Sequence, residues 1–158
     1  MNASDLGWDE STSVELDHRL LKAPHVKLRS ITEGPGGDVV YCVDLRIYQP
    51  NVKFMSLPVL HSMEHFLLYG FQRYMPNNFI SVSPMGCQTG FYLVLFNEGR
   101  AEKIFSEYEN ILNDILKAKE VPYATISQCG NYLNHSLMLA KVLAWEVLQA
   151  KSRWRQVV

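Results

Sequence analysis

Residues 33–50, EGPGGDVVYCVDLRIYQP, decide the fold class. The glycines and proline of the first half mark a turn. After it, Val39, Tyr41, Val43, Leu45 and Ile47 fall on one face, and Val40, Cys42, Asp44, Arg46 and Tyr48 fall on the other. That alternation is the period of a strand with a core on one side only. Pro50 and Asn51 end it. Outward from this strand, HVKLRSI (25–31) and the shorter SVELDH (13–18) also have strand character, as do NNFISVS (77–83) and TGFYLVLF (89–96), joined by the loop SPMGCQTG.

Three segments change period. In LPVLHSMEHFLLYGF (57–71) and just beyond it, Leu60, Met63, Leu67, Phe71 and Tyr74 recur at spacings of three and four, after a capping Ser56 and with Pro58 in the first turn. From Ala101 to Lys119, the residues Ile104, Phe105, Tyr108, Ile111, Leu112 and Ile115 form an apolar helical stripe. A last helix is expected from about His135 to Ser152. Strands grouped early, without regular alternation with helices, predict an α+β fold: a single two-layer domain, mainly an antiparallel sheet packed against helices. Residues 1–12 read as an N-terminal extension.

Composition narrows the function. The chain has 158 residues, is 47% hydrophobic and carries a net charge of −1. A balanced surface gives no electrostatic reason to expect nucleic acid or an anionic membrane. No apolar run approaches the ~20 residues of a membrane span, and the polar, acidic start MNASDLGWDESTS is unlike a signal peptide. Three scattered cysteines are no disulfide framework and fit reduced thiols in the cytoplasm.

The residues out of place are His61, Glu64 and His65, inside the apolar helix. Four residues apart, the two imidazoles project from one helix face and can share a transition-metal ion, with Glu64 flanking them. The pattern H-x-x-E-H also opens inverzincin peptidases, where the glutamate is the general base. A third ligand must come from elsewhere. Cys42, Cys87, Cys129, His18, His25, His135 and several carboxylates are candidates, with Cys87 and Cys129 favoured by their glycine-flanked loops. His135 reads as a capping or packing residue and His25 as a surface one.

Taken in order, ELDH, DLR, HSMEH, SPMGCQTGFYL and QCGNYLNHSL resemble the S-ribosylhomocysteine lyase (LuxS) family from about Ser13 to Leu148. The resemblance implies a metal-dependent lyase domain over 13–158. Its reaction is cleavage of S-ribosylhomocysteine to homocysteine and 4,5-dihydroxy-2,3-pentanedione, the precursor of the signalling molecule autoinducer-2 in quorum sensing, within the activated methyl cycle. It further implies one divalent metal per subunit, Fe(II) with Zn(II) or Co(II) able to substitute, and a homodimer with shared active sites. His61, His65 and Cys129 fall on the ligand positions, with water or substrate oxygen in the fourth place. Cys87 falls on the catalytic cysteine, Glu64 on a second acid/base, and Ser13, His18 and Arg46 on substrate-binding positions. Three places depart from the family pattern: Ser81 stands where the family has aspartate, Met138–Leu139 where it has Glu-Gly, and FLLYGFQ after the histidine pair is bulkier than the family's L-A-G. The rival functions are an inverzincin-like metallohydrolase and a metal-binding relative without turnover.

Overall fold

A computed structural model describes residues 2–158. Its sheet has four strands: β1 (His25–Glu33), β2 (Val39–Arg46), β3 (Phe79–Pro84) and β4 (Gly90–Phe96), in the order β1-β2-β4-β3 with every pairing antiparallel. The helices are α1 (Leu57–Tyr74), α2 (Ala101–Lys117) and α3 (Leu137–Gln149). The expected α+β layering is therefore present. The alternating run over 39–47 does what its period implies. Tyr41, Val43 and Leu45 are buried in the core with Leu93, Leu95 and Phe91 of β4, and Met63, Leu67 and Phe71 of α1 and Ile104, Tyr108 and Ile111 of α2 belong to the same cluster.

The other face of the sheet is polar and only partly covered. Asp44 and Arg46 are buried there. The segment 12–18 lies against them, but not as a strand: Lys27 of β1 donates its ammonium to the carbonyls of Thr12 and Val14, at 3.1 and 2.7 Å. Side-chain donation takes the place of a ladder, which is why the short strand expected at 13–18 does not form. The residues before 13 also send a side chain inward. Trp8 is buried beside Phe105 and donates its indole N–H to Gly99 O at 2.7 Å.

Two connections position the chemistry. The loop between β3 and β4 turns back through hydrogen bonds from Gln88 N to Met85 O and from Met85 N to Gly90 O. Gly90 is required there, because a Cβ would sit 2.4 Å from Leu45 O, so the loop lies directly on the end of β2. The second connection, residues 118–136 between α2 and α3, holds neither helix nor strand. Loops of that length inside a compact domain usually serve a function.

Candidate metal centre and thiol site

On α1, His61 and His65 point the same way, with ring centroids 4.7 Å apart. The long loop crosses that face and brings Cys129 and His135. The Cys129 Sγ lies 3.4 Å from His61 Nε2 and 3.6 Å from His135 Nε2. The ligand atoms of all four residues lie within 4.8 Å of one another. A tetrahedral ion with bonds of about 2.3 Å to sulfur and 2.0–2.1 Å to nitrogen places sulfur and nitrogen about 3.5 Å apart. Both edges to Cys129 already have that length. The donor set, soft sulfur with imidazole, suits Zn(II), Fe(II) or Co(II).

Each of two expected ligands is aimed by a second contact. His61 Nδ1 is 3.0 Å from Asn134 O, and His65 Nδ1 is 2.7 Å from Pro122 O. A carbonyl can only accept, so both rings carry their proton on Nδ1 and present a bare Nε2. The backbone N–H of Asn131 donates to Cys129 Sγ at 3.4 Å. Glu64 is half-buried on the same helix, with no hydrogen bond or ion pair among the described residues.

The sequence reading had His135 among the candidate third ligands but took it for a capping or packing residue at the start of a helix. The structure stacks its ring on His61 at 4.0 Å and sets it 4.6 Å from His65. Burial, with His61 and His65 facing it, holds its pKa down to about 4, so it stays neutral and keeps a lone pair. The missing signal was distance along the chain: its hydrogen-bonding partner Ser62 lies 73 residues away.

Cys87 lies elsewhere, at the end of the sheet. Its Sγ is 3.0 Å from Thr89 Oγ1 and 3.8 Å from the Arg46 guanidinium, which itself donates to Thr89 Oγ1 at 2.5 Å. Partial burial pushes the thiol pKa up. The Thr89 hydrogen bonds and the Arg46 charge outweigh it, and the net shift is downward. Arg46 is no solvated strand residue: it is 3% exposed, with Asp44 Oδ2 at 3.7 Å. His18 is exposed and lines a cavity of about 390 Å³ with Cys87, Thr89 and Phe54. Ser13 is half-buried and donates its hydroxyl to Asp9 O at 2.8 Å. Ser81 is exposed on β3. Cys42 is half-buried on β2, outside both groups.

The structure thus brings sequence-derived residues together as two groups: His61, His65 and Cys129, and Cys87 with Arg46 and His18; Glu64 is on the same helix as the two histidines but outside the cluster of ligand atoms. Among the described residues no hydrogen bond, ion pair or ring contact joins one group to the other. A larger cleft, about 490 Å³ between Tyr69, Arg73, Asp114 and Tyr123, contains none of these side chains.

Comparison with known proteins agrees with this geometry. A sequence model of S-ribosylhomocysteinase (LuxS) matches residues 11–158. The S-ribosylhomocysteine lyase of Halobacillus halophilus is 43% identical over 145 residues, covering 92% of this chain and 95% of the relative. That of Dichelobacter nodosus is 44% identical over 92% of this chain and 94% of its own, and that of Helicobacter pylori strain J99 is 41% identical over 92% and 95%. A match this long, carried by a chain whose histidines and cysteine converge on one point, is a family relationship: the protein belongs to the S-ribosylhomocysteinase (LuxS) family.

Proposed function

We propose that the protein is an S-ribosylhomocysteine lyase, converting S-ribosylhomocysteine to homocysteine and 4,5-dihydroxy-2,3-pentanedione. The observation that carries this reading is the convergence of His61, His65 and Cys129, with both imidazoles aimed by backbone carbonyls. The thioether of the substrate is a poor leaving group until the neighbouring carbon carries an acidic proton. Two carbonyl migrations, from C1 to C2 and then to C3, create that acidity at C4. Loss of the C4 proton then expels the sulfur from C5 as homocysteine. No net oxidation occurs, because each migration oxidises one carbon as it reduces its neighbour.

His61, His65 and Cys129 would hold a divalent ion, which we read as Fe(II), replaceable by Zn(II) or Co(II). Such an ion supplies positive charge beside the sugar oxygens where negative charge develops. Cys87 moves the protons between adjacent carbons. Its lowered pKa suits it to that work, since only the thiolate is a base. Arg46 and Thr89 hold that thiolate in place. Glu64 serves the later proton transfers, and Ser13, His18 and Arg46 bind the substrate. We place the enzyme in the cytoplasm, where its three free thiols stay reduced. No helix is long and apolar enough to cross a membrane.

The test is release of free thiol from S-ribosylhomocysteine, followed with a chromogenic disulfide, alongside metal analysis. Cys129→Ala is expected to lose metal and turnover together. Cys87→Ala is expected to keep its metal and lose turnover by about 10²-fold or more, the scale of a missing general base. Metal loss in Cys87→Ala instead would reverse the two assignments. Cleavage of peptides without need of Cys87 would establish the hydrolase reading, and an absence of turnover in the metal-loaded protein would leave it a metal-binding relative.

A further inference from the structure

We infer that Asp44 is a positioning residue of the thiol site: a buried carboxylate shared by three cations of the sheet's polar face, whose charge limits how strongly Arg46 acidifies Cys87 and so keeps the thiolate basic enough to take a proton from carbon. The kinetic part of the inference rests on the lyase reading above; the charge balance does not.

Arg46 reaches the sulfur mainly through Thr89. Its Nη1 is 2.5 Å from Thr89 Oγ1 and 3.8 Å from Cys87 Sγ. A guanidinium can only donate, so the Thr89 oxygen accepts from it, and the hydroxyl proton is left for the sulfur 3.0 Å away. The other end of the guanidinium faces Asp44, with Nη2 3.7 Å from Oδ2. Asp44 Oδ1 faces Arg29 Nη1 at 3.9 Å, and Lys27 is the register partner of Asp44 on β1. Its partner on β4 is Tyr92, and Glu15 of the covering segment lies 3.6 Å from Arg29. Around Cys87 itself the charged and titratable groups are Arg46, His18 and Lys53. Asp44, Arg46 and Lys27 are 1%, 3% and 5% exposed. Both distances from Asp44 to a guanidinium exceed a hydrogen bond, and Oδ1 has no hydrogen-bond partner among the described residues. Asp44 therefore acts by charge rather than by a directed bond.

The need for a counter-charge follows from what a general base must do. A thiolate beside unopposed cations is fully ionised but holds a proton weakly, and a base works best when its pKa lies near the ambient pH. Partial burial raises the Cys87 pKa, while Thr89 and Arg46 lower it. The charge on Arg46 is the part that Asp44 offsets. Burial pushes the Asp44 pKa up, but Arg46, Lys27 and Arg29 hold the carboxylate in its charged form. Among the described residues it is the only buried carboxylate on the sheet. Asp44→Asn keeps the size of the side chain and removes this charge. One amide can offer its oxygen to only one arginine. Buried Arg46 keeps it, and Arg29, with a side chain 38% exposed, turns to solvent. Arg46 then stays beside Thr89 with nothing to offset it, which favours the thiolate.

Alkylation of the metal-loaded protein with iodoacetamide, followed across pH on the peptide that contains Cys87, reads the thiol without relying on turnover. In Asp44→Asn the midpoint is expected to fall by about 0.5–1 pH unit, less than the shift of a charge in direct contact. The acid limb of kcat/KM should move with it, and the plateau kcat should drop by about 3-fold as the base weakens. Arg29→Gln takes a cation from the same carboxylate at a part-exposed position, and its midpoint is expected to rise instead. A folded Asp44→Asn whose midpoint is unmoved or raised overturns the inference: the first outcome makes Asp44 a packing residue, the second a tether for Arg46. If Asp44→Asn does not fold, Arg29→Gln carries the test alone, and a midpoint unmoved or lowered there overturns it. Wild type without turnover overturns the lyase reading, and the alkylation midpoints still decide this inference.

Discussion

His25 has no exposed surface, its Nδ1 is 2.5 Å from Lys22 O, and its Nε2 has no hydrogen-bond partner among the described residues. Burial is the main reason its pKa is lowered to about 4, with Arg46 and Lys27 adding to the effect against the Lys22 hydrogen bond. The folded protein therefore requires His25 neutral, while the unfolded chain protonates it below its ordinary 6.5. The stability this provides is complete above pH 6.5 and is lost as pH falls from there towards 4. About 2.5 pKa units correspond to roughly 3 kcal/mol. Urea titrations at pH 7 and pH 4 should show wild type losing more stability than His25→Gln by an amount of that order. Equal losses would show that His25 is not the group responsible. His135 titrates in the same direction in both proteins and cancels from the comparison. The sequence placed His25 at the surface because Pro24 precedes it. What buries it is remote: Val26 N donates to Trp154 O and Lys22 N to Val157 O. His61 and His65, by contrast, were legible because a helix period is a local property. Arg46 and His135 were read for the wrong surroundings for the same reason as His25: their partners come from distant chain.

At the scale of elements, α1 has two tasks, packing on α2 with one face and carrying imidazoles on another. The packing passes through Gly70. A Cβ there would lie 2.4 Å from Ile111 Cγ1 and under 3.0 Å from both its other branches. Gly70→Ala is therefore expected to destabilise by about 1–3 kcal/mol despite its better helix propensity. Ile111→Ala alone should cost about 2–5 kcal/mol. The double variant should cost clearly less than the two together, since the new methyl enters the space vacated. Denaturant titration of the four proteins closes the cycle, and strict additivity would refute the contact. Amphipathic α2 was the most legible element, expected to Lys119 and ending at Lys117. Helix ends were read less well. Ser56, expected to cap α1, makes no side-chain cap bond, whereas Ser136 caps α3 through Leu139 N at 3.4 Å. The strand alternation of 39–47 was legible because sheet burial repeats every second residue, while 13–18 shows that composition alone does not make a ladder.

At the scale of the molecule, the two groups of proposed catalytic residues stand apart within one chain, and each is rimmed by exposed apolar side chains. Val52 and Phe54 near Cys87 are 73% and 68% exposed, and Ile126 and Leu133 near Cys129 are 79% and 78% exposed. A symmetric pair of chains that brings Cys87 of one against His61 of the other would cover both rims and complete both sites. Mixing inactive Cys87→Ala with inactive His61→Ala under subunit exchange is expected to restore partial activity. Failure to complement, with exchange demonstrated, would show that each chain builds its site alone, and a monomer in sedimentation at micromolar concentration would remove the pair altogether. This level was the least legible from residues alone: the sheet and helices announced the layers, but only the family resemblance suggested a second chain.

The anchors of the imidazoles have a thermodynamic meaning of their own. The oxygens that fix His61 and His65 belong to Asn134 and Pro122, and Cys129 lies between them in the same irregular segment. With little regular structure to hold it, the stretch 118–136 has few ways to stay ordered except through this crossing of α1. Any ion gathered there is therefore linked to the ordering of that segment, so uptake and local folding share one free energy. Removing the ion should leave the sheet and α2 protected from hydrogen exchange while the amides of 118–136 open. The binding constant of the site would then report, in part, how strongly the chain closes over it.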